Sequence, residues 1–224
     1  MKDKILIILP SRSNGNGREH NVERFIEHWR STTEGYSELC ILLDEDDEHR
    51  YKRHTDIQYY VRPNVRFVPK INAAALEFKT AYKYIANFSD DFIIRNKWES
   101  LFISFFENNN GVGIAYGNDL LQQDKLPTAV CMTSNIIDAL GYFVPPQLQH
   151  MYADNFWKDI GTSVGILKYF PDIIFEHVHP DAGKAIRDPQ YVHAASVAYQ
   201  DQVAYGKYLI EDCEQDIEKL KKLI

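Results

Sequence analysis

Ser89-Asp90-Asp91 sets two carboxylates side by side after an apolar stretch. Adjacent like charges raise each other's pKa unless a cation lies beside them. Hard divalent ions such as Mg²⁺ and Mn²⁺ take one or two carboxylates together with substrate phosphates. The step therefore suits a metal–diphosphate, with a helix N-cap as the plainer alternative. His177 and His179 stand two apart in a β-type run and share a face. A neutral imidazole also binds Mn²⁺-like ions and could complete a carboxylate site; a hydrogen-bonded pair of half-buried histidines is the alternative. Asp154 lies among Tyr152, Phe156 and Trp157, whose rings offer an apolar floor for a sugar. A carboxylate placed there can act as general base toward a hydroxyl, or it simply caps a helix. Of the acidic run 44–48, only Asp44, nearest the preceding apolar run, is a good candidate ligand. The rest read as a solvated turn.

Elements must carry these groups to one place. Ile5-Leu6-Ile7-Ile8-Leu9 and Leu39-Cys40-Ile41-Leu42-Leu43 are continuous apolar runs, as in strands buried on both faces of a parallel sheet. Between them Val22, Phe25, Ile26 and Trp29 fall at helical spacing. Val65-Arg66-Phe67-Val68 before Pro69 reads as a third short strand, and the Ala-rich residues 73–85 as a helix leading into the Asp90-Asp91 step. This alternation predicts an α/β fold with a mostly parallel, doubly wound sheet. Ligands of such sheets bind beyond the carboxyl ends of the strands, which selects the loops 10–17, 44–48 and 89–91. Further on, the pattern predicts helices over 98–106, 135–140 and 152–160, and strands over 111–116 and 173–179. A charged amphipathic helix is expected over 199–224, its apolar stripe (Leu209, Ile210, Cys213, Ile217, Leu220) packed on its own domain or on a second copy.

Length and composition narrow the classes. The chain has 224 residues and a formal charge of −7, with 45% hydrophobic and 25% charged residues. That suits one globular domain able to bury a core without staples, and argues mildly against a general polyanion binder, since phosphate affinity is built from Lys and Arg. Three scattered cysteines form neither a disulfide framework nor a zinc site. No signal peptide or spanning segment is apparent, so a soluble, cytoplasmic protein is expected. Gly15-Asn16-Gly17 lacks the ending of a P-loop, and neither GxGxxG nor GxSxG occurs.

In order along the chain, ILIILPSR, LLDEDD, FSDDF, YGNDLLQQDKLPTAV and HMYADNFWKDIG followed by IIFEHVHPDAGKAIRD resemble the nucleotide-sugar glycosyltransferases of the GT-A fold. The likeness is specifically to a compact family-two-like group common in bacteriophage and bacterial genomes. It covers residues 5–191 or so. The resemblance implies a Rossmann-like GT-A sheet flanked by helices, in one domain with a nucleotide-binding half over 1–95, an acceptor half over 96–198 and the C-terminal helix. It further implies that Pro10, Ser11 and Arg12 line the nucleotide and that Asp44 contacts base or ribose. Asp91, with Asp90, would bind the Mn²⁺ or Mg²⁺ that bridges the donor diphosphate. His177 or His179 would match the late metal-binding histidine, Asp154 the general base of inverting members, and Asn118 and Asp119 would approach the donor sugar. Ser89 departs from the pattern, standing where an acid or glycine is usual.

The implied reaction moves a sugar from a nucleotide-diphosphate donor, UDP-linked by preference, to a glycan, protein or small-molecule hydroxyl. A hydroxymethylated base in phage DNA is a narrower acceptor, for which Arg12, Arg18, Arg50, Lys52, Arg53 and His54 would form the basic path. Two other classes compete: a nucleotide-sugar-binding module without turnover, and a nucleotidyltransferase using paired acids and Mg²⁺.

Overall fold

The structure, a computed structural model, describes all 224 residues. Eight strands form one sheet: β1 (Lys2–Pro10), β2 (Ser37–Asp44), β3 (Gln58–Arg62), β4 (Tyr82–Asn87), β5 (Phe92–Ile94), β6 (Ile114–Asn118), β7 (Val130–Thr133) and β8 (Leu167–His177). Their order is β3-β2-β1-β4-β7-β6-β8-β5. The first four neighbours run parallel. Beyond β4, β7 is antiparallel to both its neighbours, β8 is parallel to β6, and β5 is antiparallel to β8. The helices are α1 (Arg18–Thr32), α2 (Phe67–Phe78), α3 (Glu99–Asn108), α4 (Ser134–Leu140), α5 (Ala153–Ser163), α6 (Pro189–Ser196), α7 (Ala198–Glu211) and α8 (Cys213–Lys221).

The two apolar runs are the reason the sheet is covered on both sides. Side chains alternate between the faces of a strand, so Leu6, Ile8, Cys40 and Leu42 pack toward α2, α4, α5, α7 and α8. Ile5, Ile7, Leu9, Leu39, Ile41 and Leu43 pack toward α1 and α3. The α/β expectation holds, with a parallel half joined to a mixed one. No helix is long and apolar enough to cross a membrane.

Several boundaries differ from the sequence reading. The third strand is Gln58–Arg62, and Phe67-Val68 opens α2 rather than ending a strand. Pro69 is the third residue of that helix, where the missing N–H has no intrahelical partner to lose. The helix stops at Phe78, so residues 82–85 belong to β4. Strands β5 and β7, of three and four residues, are too short to show a period. The C-terminal segment breaks at Asp212 into α7 and α8. Its buried face is built on Tyr205, Tyr208 and Leu220, while Leu209 and Ile210 are 45% and 87% exposed.

One glycine decides how closely the second half closes. Where β8 shifts register against Gly117 and Asn118, a Cβ at Gly117 would meet the Ile173 carbonyl oxygen at 2.6 Å and the Phe175 ring at 2.8 Å. Gly117→Ala is expected to destabilise the protein by about 1–3 kcal/mol through overpacking. Urea unfolding measures this, and unchanged stability would show that β8 can move away.

Candidate active site

The three loops selected by the parallel sheet meet in space. Pro10 ends β1, and Ser11 donates its N–H to the Leu42 carbonyl (3.1 Å) as the chain leaves the sheet. The Ser11 hydroxyl donates to Asp90, and its oxygen lies 3.0 Å from the Tyr51 hydroxyl. Arg12 pairs with Asp44 (2.9 Å) and Asp46 (2.7 Å). Asp47 accepts the Ser13 and Asn14 amides at 2.6 and 3.0 Å. The first loop is thus fastened to the second by carboxylates, and Asp46 and Asp47 are not merely a solvated turn.

Asp90 and Asp91 follow β4, where Phe88 wedges among Phe25, Phe92, Trp98 and Phe175. That aromatic cluster fixes the loop, and the two carboxylates take different partners. Asp90 is bound by Ser11 and by the Arg18 guanidinium at 2.6 Å. Asp91 accepts the Tyr191 hydroxyl at 2.6 Å and lies 3.5 Å from His177 Nε2, leaving Oδ1 buried with no partner. Burial pushes both carboxyls up. At Asp91 the contacts with His177, Tyr191 and Arg18 outweigh burial and hold the group ionised, below the usual range. At Asp90 burial and the charge of Asp91 prevail, and its affinity for a proton rises.

His177 ends β8 opposite Phe92 of β5, and its ring stacks on Phe92 at 4.3 Å. Its amide donates to the Asp119 carbonyl, and the Val178 amide to the Asp91 carbonyl. The strand end therefore holds the histidine against Asp91. His179 lies past the strand; its Nδ1 accepts the Asp181 amide, and its ring meets His177 and Tyr191. Burial, then the neighbouring His177, lowers its pKa.

Asp154 sits in the first turn of α5, and burial raises its pKa. Tyr152, Ala153, Asp154 and Trp157 border a cavity of about 680 Å³ that Ser11, Arg12, Asp90, Asp91 and His177 also line. Phe156 is turned into the core against Tyr208 and is not part of an apolar floor.

Asp44, Asn118 and Asp119 are not on this cavity wall. Asp44 is fully buried between Arg12 and Lys70, the latter at 2.7 Å. Asp119 accepts the Leu121, Gln122 and Gln123 amides and the Thr128 hydroxyl, and Asn118 accepts the Leu120 amide. Such Asx contacts fold a turn. The proposed basic path is also occupied from within. Arg12, Arg18, Arg50, Arg53 and His54 each face a carboxylate, so these residues present no free cationic stripe.

Sequence reasoning passed over Lys70, Asp188 and Tyr191, and placed Arg18 only in the basic path. Arg18 is the first residue of α1, a position that repels cations; an arginine there signals a carboxylate answering it. Asp188-Pro189 is an N-cap and first-turn pair, and Asp188 accepts the Gln190 and Tyr191 amides to start α6. Asp188 also pairs with Arg18 at 2.8 Å, and Arg18 packs on the Tyr191 ring. These contacts bring α6 over the cavity.

The donor set suits a hard divalent ion. Asp91 offers an ionised carboxylate with an unpartnered oxygen, and His177 an imidazole beside it. No third His, Cys, Asp or Glu completes a cluster. Any further ligands to an ion held there would have to come from phosphate and water.

No family model and no curated protein sequence matches the chain. Solved structures do. TarS of S. aureus superposes at a TM-score of 0.55 and 12% identity over 79% of this chain. TarS 1–349 in complex with UDP gives 0.53 and 12% over 77%. The chain spans 37% and 59% of those two proteins. The mannosyltransferase PcManGT of Pyrobaculum calidifontis, in complex with GDP-Man and Mn²⁺, gives 0.55 and 10% over 100% of this chain and 74% of that one. At such identities the likeness is one of architecture, and that architecture is the GT-A-like glycosyltransferase fold.

Proposed function

We propose that the protein is a metal-dependent glycosyltransferase that moves a sugar from a nucleotide-diphosphate donor to an acceptor hydroxyl with inversion. One observation carries this reading: a single cavity holds the ionised Asp91 beside His177 and, on its wall, the half-buried Asp154. Asp91 and His177 would hold Mn²⁺ or Mg²⁺, with His177 favoured over His179, whose Nδ1 is already engaged. When bound, the ion neutralises charge developing on the leaving diphosphate. Ser11 and Arg12 border the nucleotide, Arg18 keeps Asp90 paired, and Tyr191 orients Asp91 through its hydroxyl. Asp154 takes the acceptor proton as the hydroxyl attacks the anomeric carbon. A UDP-sugar is the favoured donor, in keeping with the UDP complex of TarS 1–349; GDP-Man, bound by PcManGT, is the comparison donor.

The test is a panel of UDP- and GDP-sugars with Mn²⁺, scored for released nucleoside diphosphate with and without acceptor alcohols. Nucleoside diphosphate released only with acceptor supports transfer. Binding without release would leave a binding module, and pyrophosphate released from nucleoside triphosphates would identify a nucleotidyltransferase.

The pH dependence has a defined sign. Burial raises the Asp154 pKa above the ordinary value of about 4, and a base acts only when deprotonated. Transfer is therefore expected above that raised pKa and lost as pH falls through it. A rate profile under saturating donor should show its acidic limb above pH ~4; a limb at or below that value would count against a buried base.

A further inference from the structure

Asp201 is a fully committed carboxylate outside the cavity. It lies on α7, is 0% exposed, and accepts three successive backbone amides: Gln149 at 2.9 Å, His150 at 2.8 Å and Met151 at 2.7 Å. Three amides converging on one carboxylate make a strong, directional anchor. The anchored residues lead straight into Tyr152, Ala153 and Asp154. Tyr152 adopts φ 68°, a left-handed conformation unusual for an aromatic residue. Such a conformation persists where the surroundings over-determine it, and here they do. Tyr205, one turn after Asp201 on the same face of α7, stacks on the Tyr152 ring at 5.4 Å. The Tyr205 hydroxyl donates to Asp159 of α5 at 2.7 Å. One side of α7 therefore grips both the loop before α5 and α5 itself.

We infer that Asp201 is a positioning residue for Asp154: α7 clamps residues 149–152 in the one conformation that turns the α5 first turn, and its carboxylate, into the cavity. The inference rests on the reading of Asp154 as the general base. It gives the C-terminal helices a role in the chemistry of this chain, apart from packing or self-association. Misplacing a reacting group by about 1 Å can cost ~10²-fold in rate, so the clamp acts on turnover. In the proposed reading donor affinity rests on Ser11, Arg12 and Asp91, none of which hydrogen-bonds to residues 149–152 or to Asp201.

The experiment compares the full-length wild type with Asp201→Asn, which keeps one acceptor oxygen but loses the charge, and with Tyr205→Leu, which removes the stack and leaves Asp201 in place. Ile210→Ser, on the exposed side of α7, is the control. Each is read for kcat and donor KM in transfer, for UDP affinity with Mn²⁺, and for hydrogen exchange at the 149–151 amides. We expect faster exchange at these amides and a kcat lower by about tenfold or more in the first two variants, with KM and UDP affinity held within about twofold of wild type. Wild-type kcat beside accelerated exchange would overturn the positioning role, as would equal losses in kcat and UDP affinity. Asp154→Asn, measured in parallel, separates two failures. Transfer surviving in Asp154→Asn removes the base, and this inference with it. An inactive Asp154→Asn beside a fully active Asp201→Asn removes the positioning role alone.

Discussion

Asp154→Asn is expected to lower the transfer rate by ~10³-fold, within the range for losing a general base, while UDP still binds in the presence of Mn²⁺. The amide matches the carboxylate in shape and can keep the contact with the Asn155 amide (3.0 Å), so α5 need not move. What it loses is a lone pair basic enough to take a hydroxyl proton. The carboxylate is half-buried at the cavity wall, where burial outweighs the pull of His177 and raises its pKa. His150 faces the same cavity, but burial holds its pKa down to about 4, which leaves a weakly basic imidazole. Steady-state transfer and calorimetric UDP binding test this together. A variant that turns over at the wild-type rate would show that another group accepts the proton.

Asp91→Asn should have the opposite signature: binding itself fails. With Mn²⁺ present, UDP affinity should weaken on the order of 10²-fold, the upper end for perturbing a metal's surroundings, and adding Mn²⁺ should no longer tighten binding. The substitution removes the charge that His177 and Arg18 stabilise and leaves the Tyr191 hydroxyl facing a neutral amide. Asp90 cannot substitute, because Ser11 and Arg18 occupy both of its oxygens. Calorimetry of UDP and GDP with and without Mn²⁺ gives the readout. Mn²⁺-dependent binding preserved in Asp91→Asn would remove the metal assignment. The two substitutions thus separate holding the donor from deprotonating the acceptor.

The legible parts of the sequence were those governed by local pattern. Continuous β-branched runs mark strands covered on both faces, so β1 and β2 stand where residues 5–9 and 39–43 place them. The rule that ligands lie beyond parallel strand ends selected the loops that do converge. Gly141, φ 84°, stops α4 as its position suggests. Tertiary partnership was not legible. Nothing in Ser89-Asp90-Asp91 tells which aspartate Arg18 will claim, since the two residues meet across 72 positions. Phe67 and Val68 have strand-like side chains, yet α2 begins there because packing of Val68, Ile71, Ala74 and Ala75 on the sheet overrides propensity. The family resemblance brought Asp119 toward the donor sugar, but turn formation uses the same residue type. Asp188 and Tyr191 lay in a stretch with little apolar periodicity, and only the Asp-Pro pair announced a helix.

The carboxylates that tie the first loop to the second have a consequence for the thermodynamics of recognition. Asp44, Asp46, Asp47 and Asp90 hold Arg12, Ser13, Asn14 and Ser11 before any ligand arrives. A free loop must give up conformational freedom when it closes on a nucleotide, and that loss subtracts from affinity. Here the freedom is surrendered during folding. A donor, on the proposed function, would meet a wall already ordered, and its contacts would count toward affinity with little ordering penalty. On the proposed function, the acids that fasten this loop would thereby tighten donor binding by holding its wall in place.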